Sequence, residues 1–292
     1  MKSRGFPMTT TVANIFRYPI KRMGGHQLDQ TVLTINGIPG DRSWALKDEE
    51  LASIKGGKRH PALMGMSAEF ELEPDESNVS PPTQIRLADG SIIRTSDDDA
   101  EERLSQALGA NVTLWPILPK EQLDHYRRAM PDPGVDAQKS LREVFARTPD
   151  EPLPDLRGFP KELFEYESPP GTYFDAFPLL LISNASLQSL ADHSDQSNFD
   201  VRRFRPNLLL NTDQTGFPEE EWAGRLGRVG TAKLKFEMAC PRCVMTTHGF
   251  DDLPKDPRVM RTLVQANKGN LGVYASVVET GEVEVGDSLI LE

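Results

Sequence analysis

The sequence has very little cysteine, two residues in 292. Two cysteines cannot build a disulfide scaffold, and such sparse use favours a reducing compartment. Long apolar runs are missing as well. The longest stretch, Phe177 to Ile182, is far too short to span a bilayer. Met1 to Phe16 holds no continuous apolar segment of the kind a secretory signal requires. A cytoplasmic protein without membrane contact is the expectation. A basic excess is lacking too: 33 Lys and Arg stand against 44 Asp and Glu, a net charge of −11. A general nucleic-acid binder is normally basic, so that class is excluded. No Gly-x-Gly-x-x-Gly follows a strand, which removes direct use of a nicotinamide dinucleotide. There is no 20–50-residue repeat and no low-complexity tract.

Both cysteines lie in one stretch, Lys235 to His248, as Cys240-Pro241-Arg242-Cys243. Leu234, Phe236 and Met238 alternate ahead of them, as a strand should. The β-branched run Val244 to Thr247 after them suggests continued extended chain. A thiolate is a soft ligand suited to a soft metal, and Arg242 is placed to favour the thiolate of Cys243. A buried cysteine is also often only a small hydrophobe. A zinc site needs four ligands, and no second Cys or His pair with suitable spacing exists. A thioredoxin-type pair needs the motif at the start of a helix after a strand. The motif alone leaves a redox pair and a soft-metal ligand both open.

Along the chain the signals are mostly those of strands. Thr11 to Tyr18 and Gln30 to Ile35 read as strands, the second ending in the turn Asn36-Gly37. Gly40-Asp41-Arg42-Ser43-Trp44 starts another, and Met64 to Glu73 alternates. Gln84–Leu87 and Ser91–Arg94 flank Ala88-Asp89-Gly90, a hairpin pattern. Asp97 to Gly109 reads as a helix capped by Asp97 or Asp98 and stopped by Gly109. Its acidic first turn needs only the helix dipole as an explanation. Asn111 to Leu118 reads as a strand. Residues 119–175 are proline-rich, with one helix signalled by a capping box, Ser140 to Glu143, opening on Val144 and Phe145. Long loops of this kind often touch substrate.

After Phe177 the pattern sharpens. A short buried strand runs into a helix start at Ser183-Asn184-Ala185-Ser186. Free amides there suit an anion, though plain capping explains the same residues. Arg202, Arg203 and Arg205 border a leucine strand, Leu208 to Leu210. Arginine suits bidentate contact with phosphate, and a solvated strand end is the plain alternative. Pro257 to Asn267 reads as a helix with Pro257 near its first turn, and Leu271 to Ile290 as three strands. The fold class expected is α+β, mainly β.

Five stretches in fixed order resemble the MOSC proteins, in kind the mitochondrial amidoxime-reducing component and its bacterial counterparts. They are Asn14 to Lys21, Gly40 to Trp44, Arg203-Phe204-Arg205-Pro206-Asn207, Cys240 to Thr247, and Gly281 to Asp287. The resemblance covers nearly the whole chain, least well over 119–175. It implies a β-rich N-terminal domain over 8–118 and a barrel-like MOSC domain over 119–292. It implies molybdenum cofactor binding, with Cys243 as the metal ligand. Lys21, Arg42, Ser183, Arg205, Asn207 and Arg242 take the positions that hold the pterin, while Arg202 and Arg203 receive no role. The activity implied is reduction of small N-hydroxylated or N-oxide compounds. Electrons would come from a separate flavin, iron–sulfur or haem protein. A cofactor carrier or sulfur-transfer protein without turnover is the alternative.

Two stretches depart from the family pattern. Lys21-Arg22 replaces Lys-Ser. His248-Gly249-Phe250-Asp251-Asp252 replaces Val-Asp-Pro, which brings a shifted carboxylate or His248 into question near the metal.

Overall fold

The computed structural model describes residues 10–54, 60–75, 77–129, 134 and 136–292. Alternating apolar residues build its largest sheet. Strand β1 (Thr10–Arg17) buries Val12 and Ile15, three residues apart. A bulge between Val12 and Asn14 changes the register so that both face inward. Short β2 (His26–Leu28) hangs on its far end. The sheet then takes up β9 (Leu179–Ser183), β10 (Leu208–Thr212), β11 (Leu226–Val229), β12 (Ala232–Pro241), β13 (Asn270–Glu279) and β15 (Ser288–Leu291).

The order β10-β9-β13-β12-β11-β15-β1 returns to β10, so seven strands close into a barrel with β2 outside. Closure leaves those strands no free edge. Every pairing is antiparallel except β9 with β10. That parallel pair is bridged by the helix α4 (Asn184–His193). Inside the barrel sit Leu179, Leu181, Leu208, Leu210, Leu234, Phe236, Val273 and Ala275, all buried. Each such large side chain contributes about 1.5–3 kcal/mol by leaving water. The expected mainly-β fold, barrel and few helices are all present.

A second unit is built from β4 (Trp44–Asp48) paired with β8 (Val112–Pro116), and from the meander β5 (Ser67–Phe70), β6 (Thr83–Arg86), β7 (Ile92–Arg94). Helix α1 (Ala100–Leu108) covers it with Ala100 and Leu104, and Gly109 ends the helix at φ 63°. Neither Asp97 nor Asp98 caps α1. The residue at its start is Asp99, and the Asp97 carboxylate instead accepts the Arg94 N–H. The strand expected over Met64 to Glu73 is shorter, because Pro61–Gly65 forms a 3-10 turn.

Pairing crosses the boundary expected at residue 118. Besides β1, strand β3 (Gln30–Leu33) pairs with β14 (Gly281–Glu284).

In the chain between β8 and β9 come α2 (Leu123–Tyr126) and α3 (Ala137–Val144). Asp136 caps α3 through the N–H groups of Gln138 and Lys139, so Ser140 of the expected capping box lies inside the helix. Asp136 supplies the same acceptor one turn earlier. Finally α5 (Arg258–Asn267) packs with α4 on the barrel's outside, over Leu180, Ile182, Cys240 and Leu271. Among the described residues no helix is long and apolar enough to cross a membrane.

Candidate metal and anion site

The two cysteines end up in different surroundings. Register shifts at Phe236/Met238 and Ala239/Pro241 bend the end of β12. Cys240 is buried there, and Cys243, half-buried, starts the next turn. That turn, Val244–Thr247, is a 3-10 helix and not the extended chain expected. Threonine chemistry explains the difference. The Thr246 hydroxyl donates to the Cys243 carbonyl at 3.0 Å, and the Thr247 hydroxyl to the Val244 carbonyl at 2.7 Å. Such local bonds override the extended preference of β-branched residues.

Arg242 acts on Cys243 through its charge, as expected, but gives its hydrogen bonds to other groups. Its guanidinium donates to the Cys240 sulfur at 2.9 Å and to the Phe204 carbonyl at 2.7 Å. Burial pushes the Cys240 thiol up, and Arg242 opposes it. Burial also raises Cys243, Asp175 adds to the rise, and Arg242 works against it. The carboxylate that matters to Cys243 is therefore Asp175, from the loop before β9. The carboxylates after the motif go elsewhere: Asp252 pairs with Arg202 at 2.9 Å, and Asp251 is exposed. His248 is buried, and burial followed by Lys255 lowers its pKa.

Around Asp175 the chain gathers positive charge from four separate segments. Lys21 is buried and donates to Asp175 at 2.9 Å and to the Tyr173 carbonyl at 2.5 Å. Burial lowers its pKa to about 8 despite Asp175. Arg42 pairs with the buried Asp41. Arg42 and Arg205 both lie against the Tyr18 ring, 5.0 and 4.3 Å from its centroid. Burial, followed by repulsion from Arg42, lowers Arg205 to about 10. Partial desolvation by the surrounding chain raises Asp175, but Lys21, Arg22 and Arg42 hold it well below the usual carboxylate range. Among the described residues Lys21, Arg22, Arg42, Arg205 and Arg242 thus outnumber the carboxylates in their field, which are Asp41, Asp175 and, for Lys21 and Arg22, Glu167. Two guanidinium nitrogens, Arg205 Nη2 and Arg242 Nε, are buried without any partner.

The backbone is arranged for the same end. Arg22, Arg42 and Arg205 have φ values of 73°, 52° and 55°. A non-glycine residue in this left-handed region costs about 1–2 kcal/mol. Three of the seven such residues among those described, Arg22, Arg42 and Arg205, fall in this one cationic cluster, where surrounding structure must enforce the strain. Gly269 supports the site from behind. Its carbonyl accepts the Arg242 N–H at 2.8 Å, and at φ 84° it presses on Arg147, whose guanidinium a Cβ would meet at 1.9 Å.

The sequence motifs matched models of two domain types, the MOSC N-terminal beta barrel domain over 9–109 and the MOSC domain over 170–290. Human mitochondrial amidoxime-reducing component 1 is 35% identical over 306 residues, covering 96% of this chain and 82% of that protein. Rat mitochondrial amidoxime reducing component 2 is 33% identical over 315 residues, 98% and 84% of the two chains. The chain belongs to the MOSC family. The bovine component 2 is similar over the same extent, 24% identical with 98% of this chain covered.

Within this MOSC protein the structure gathers Lys21, Arg42, Arg205, Arg242 and Cys243. Two other residues singled out in the sequence have partners of their own. Asn207 is buried, and its side chain joins the Leu180 N–H at 3.2 Å to the Phe16 carbonyl at 3.4 Å, fixing the strand behind Arg205. Ser183 is fully buried at the far end of β9. Its hydroxyl caps α4 at Ser186 N–H and donates to Glu219 at 2.6 Å. Arg203 is a structural member of its motif. It is buried and donates to the carbonyls of Asn198, His248 and Pro254, holding the turn after Cys243 in place. Asp175, Tyr18 and Asp41 were not singled out as site residues by sequence reasoning. Of these Tyr18 and Asp41 each stood beside an arginine inside a motif stretch, whereas Asp175 stood in none.

Proposed function

We propose that this MOSC protein binds a molybdenum cofactor and reduces N-hydroxylated or N-oxide compounds, using electrons from a separate redox protein. The observation that carries this reading is the unbalanced cationic cluster, with Arg205 Nη2 and Arg242 Nε unpaired, in electrostatic reach of Cys243. Buried donors without acceptors are rare in folded proteins and await an acceptor. The donor set fits too. No group of three or more His, Cys, Asp or Glu is gathered for a metal among the described residues. A metal at Cys243 must then bring other ligands with it, as a pterin dithiolene does.

In this reading Cys243 supplies the thiolate ligand. Lys21, Arg42, Arg205 and Arg242 hold the anionic part of the pterin through charge-assisted hydrogen bonds, which are about twice as strong as neutral ones. Asn207 acts through the strands it joins, and Ser183 serves the fold as the cap of α4. The cofactor supplies a two-electron oxygen-atom acceptor. The net change is an N-hydroxy compound plus two electrons and two protons to an N–H compound and water. Tyr18 spaces Arg42 from Arg205 and shields both from water. Asp175 stays ionised at the open side of the site and accepts hydrogen bonds there. The names of the relatives support the N-hydroxylated substrate class.

The test compares wild type, Cys243→Ser and Cys240→Ser made in a cofactor-competent host. Molybdenum is expected in wild type and, largely, in Cys240→Ser, and is expected to vanish in Cys243→Ser. Reduced viologen is then oxidised by the wild type on adding benzamidoxime. Equal metal loss in both variants would point to a joint cysteine site. A metal-loaded wild type no faster than Cys243→Ser would favour the carrier reading.

A further inference from the structure

The outer face of the barrel beside the cysteine turn carries three aromatic rings. Tyr274 lies outside because its strand neighbours Val273 and Ala275 fill the interior. It pairs across to Met238 on β12 and to Leu180 on β9. It packs with the cluster that contains Cys240. Phe177, two residues after Asp175, tilts against it with ring centroids 5.4 Å apart. Phe159 meets it edge-on at 6.4 Å. Phe159 comes from the proline-rich segment, which is anchored here because Gly158 packs on the Met238 sulfur, where a Cβ would stand 2.9 Å away. All three rings are only half-buried. At their head stands Asp175, its side chain 70% exposed and one oxygen taken by Lys21. The Tyr274 hydroxyl lies in the field of Asp175 as well as of Cys240.

Resting on the reductase reading above, we infer that Phe177, Tyr274 and Phe159 form a ledge that selects N-hydroxylated compounds carrying a flat aryl group. The ring of such a compound packs on the ledge, and its N–H and O–H donors face the Asp175 carboxylate beside Cys243. Aromatic packing discriminates by shape. An offset or edge-on ring contact adds a factor of about 3–10 over an aliphatic group. The residues act in binding alone, with no part in electron or proton transfer.

The test reads selectivity. Binding of benzamidoxime and acetamidoxime to the oxidised, molybdenum-loaded protein is measured by calorimetry without any electron donor, so no turnover occurs. Wild type is expected to prefer benzamidoxime by about tenfold. Phe177→Leu and Tyr274→Leu are each expected to cut that ratio about threefold or more, whereas Tyr274→Phe keeps it. Phe159→Leu, on the covering segment, serves where a barrel variant does not fold. An unchanged ratio in the folded variants, or an equal loss for both ligands, overturns the ledge. A wild type that prefers the aryl ligand yet never reduces it with viologen overturns the reductase reading and leaves the ledge standing.

Discussion

Two polar clusters lie toward opposite ends of β9, and the protein treats their charges in opposite ways. Before the strand starts, Asp175 is surrounded by Lys21, Arg22, Arg42 and Arg205, with cations in excess and guanidinium nitrogens left unpaired. At its other end Glu219 is fully buried against Ser183, and burial raises its carboxyl toward the neutral form. Its neighbour Glu220 is pushed up to about 7 by burial, with Asn267 donating to it. The five residues of β9 span only about 13–17 Å. Over that distance one cluster keeps more cations than carboxylates and the other gives its charge up. A group kept charged at a cost is kept for a ligand. A group that becomes neutral is part of the scaffold.

The sharpest way to break this contrast is at Arg205. Arg205→Glu should weaken cofactor retention at least about thirtyfold, since disrupting a buried charge contact costs roughly 2–5 kcal/mol. Gel filtration followed by metal analysis checks it. In the cofactor-free protein Arg205→Met should raise the melting temperature, because it removes a buried cation that lacks a full set of partners. A lower melting temperature would mean that Arg205 serves the scaffold, and the contrast would fail.

Ser183 tests the other cluster. Ser183→Ala should cost about 1–2 kcal/mol in denaturant unfolding, through the lost cap of α4 and the stranded Glu219. Cofactor retention should stay at the wild-type level. A loss of cofactor with stability intact would move Ser183 into the anion site.

The smallest expected effect is at Glu220. Its carboxyl rises from an ordinary 4.5 to about 7 in the folded state. The native protein then holds a proton that the unfolded chain releases, so its contribution is full below about pH 4.5 and is lost as the pH rises through about 7. Glu220→Gln removes that loss. Its stability should match wild type at low pH and exceed it by about 1 kcal/mol at pH 8, after allowing for partial solvent screening. Parallel stability curves at both pH values would show that Glu220 is not neutralised by burial.

The cysteine and arginine motifs could be read in the sequence because short-range spacing carries them. Cys243, Arg205 and Arg42 each stand in a run whose residue types already suggest a ligand. Asp175 could not be found that way. It is one acid among 44, and its meaning comes from Lys21, more than 150 residues away, meeting it at 2.9 Å. Ser183 could be read only halfway for the same reason, with an anion site and a plain cap both open. A strand followed by a Ser/Asn-rich helix start fits an anion site, and only the distant Glu219 shows that the hydroxyl has a carboxylate partner. Arg242 next to Cys243 in sequence turns instead to Cys240, because the bulged end of β12 decides where each side chain points. The left-handed φ values at Arg22, Arg42 and Arg205 leave no trace in residue type, since arginine has no preference for that region.

Closure of the barrel by β1 against β10 also sets an order in time. Val12 pairs with Leu210, so the first strand emerges from a ribosome long before its partner. At about 5–20 residues per second, that wait is about 10–40 s. Until then β1 has only the short β2 beside its far end, and the rest of the strand is an open edge that needs shielding from other chains. Lys21 and Arg42 are made early and Arg205 and Cys243 late, so the anion site is complete only after nearly the whole chain is synthesised. In the proposed reading the cofactor can therefore be held only late in synthesis, and it cannot help the first strands to fold.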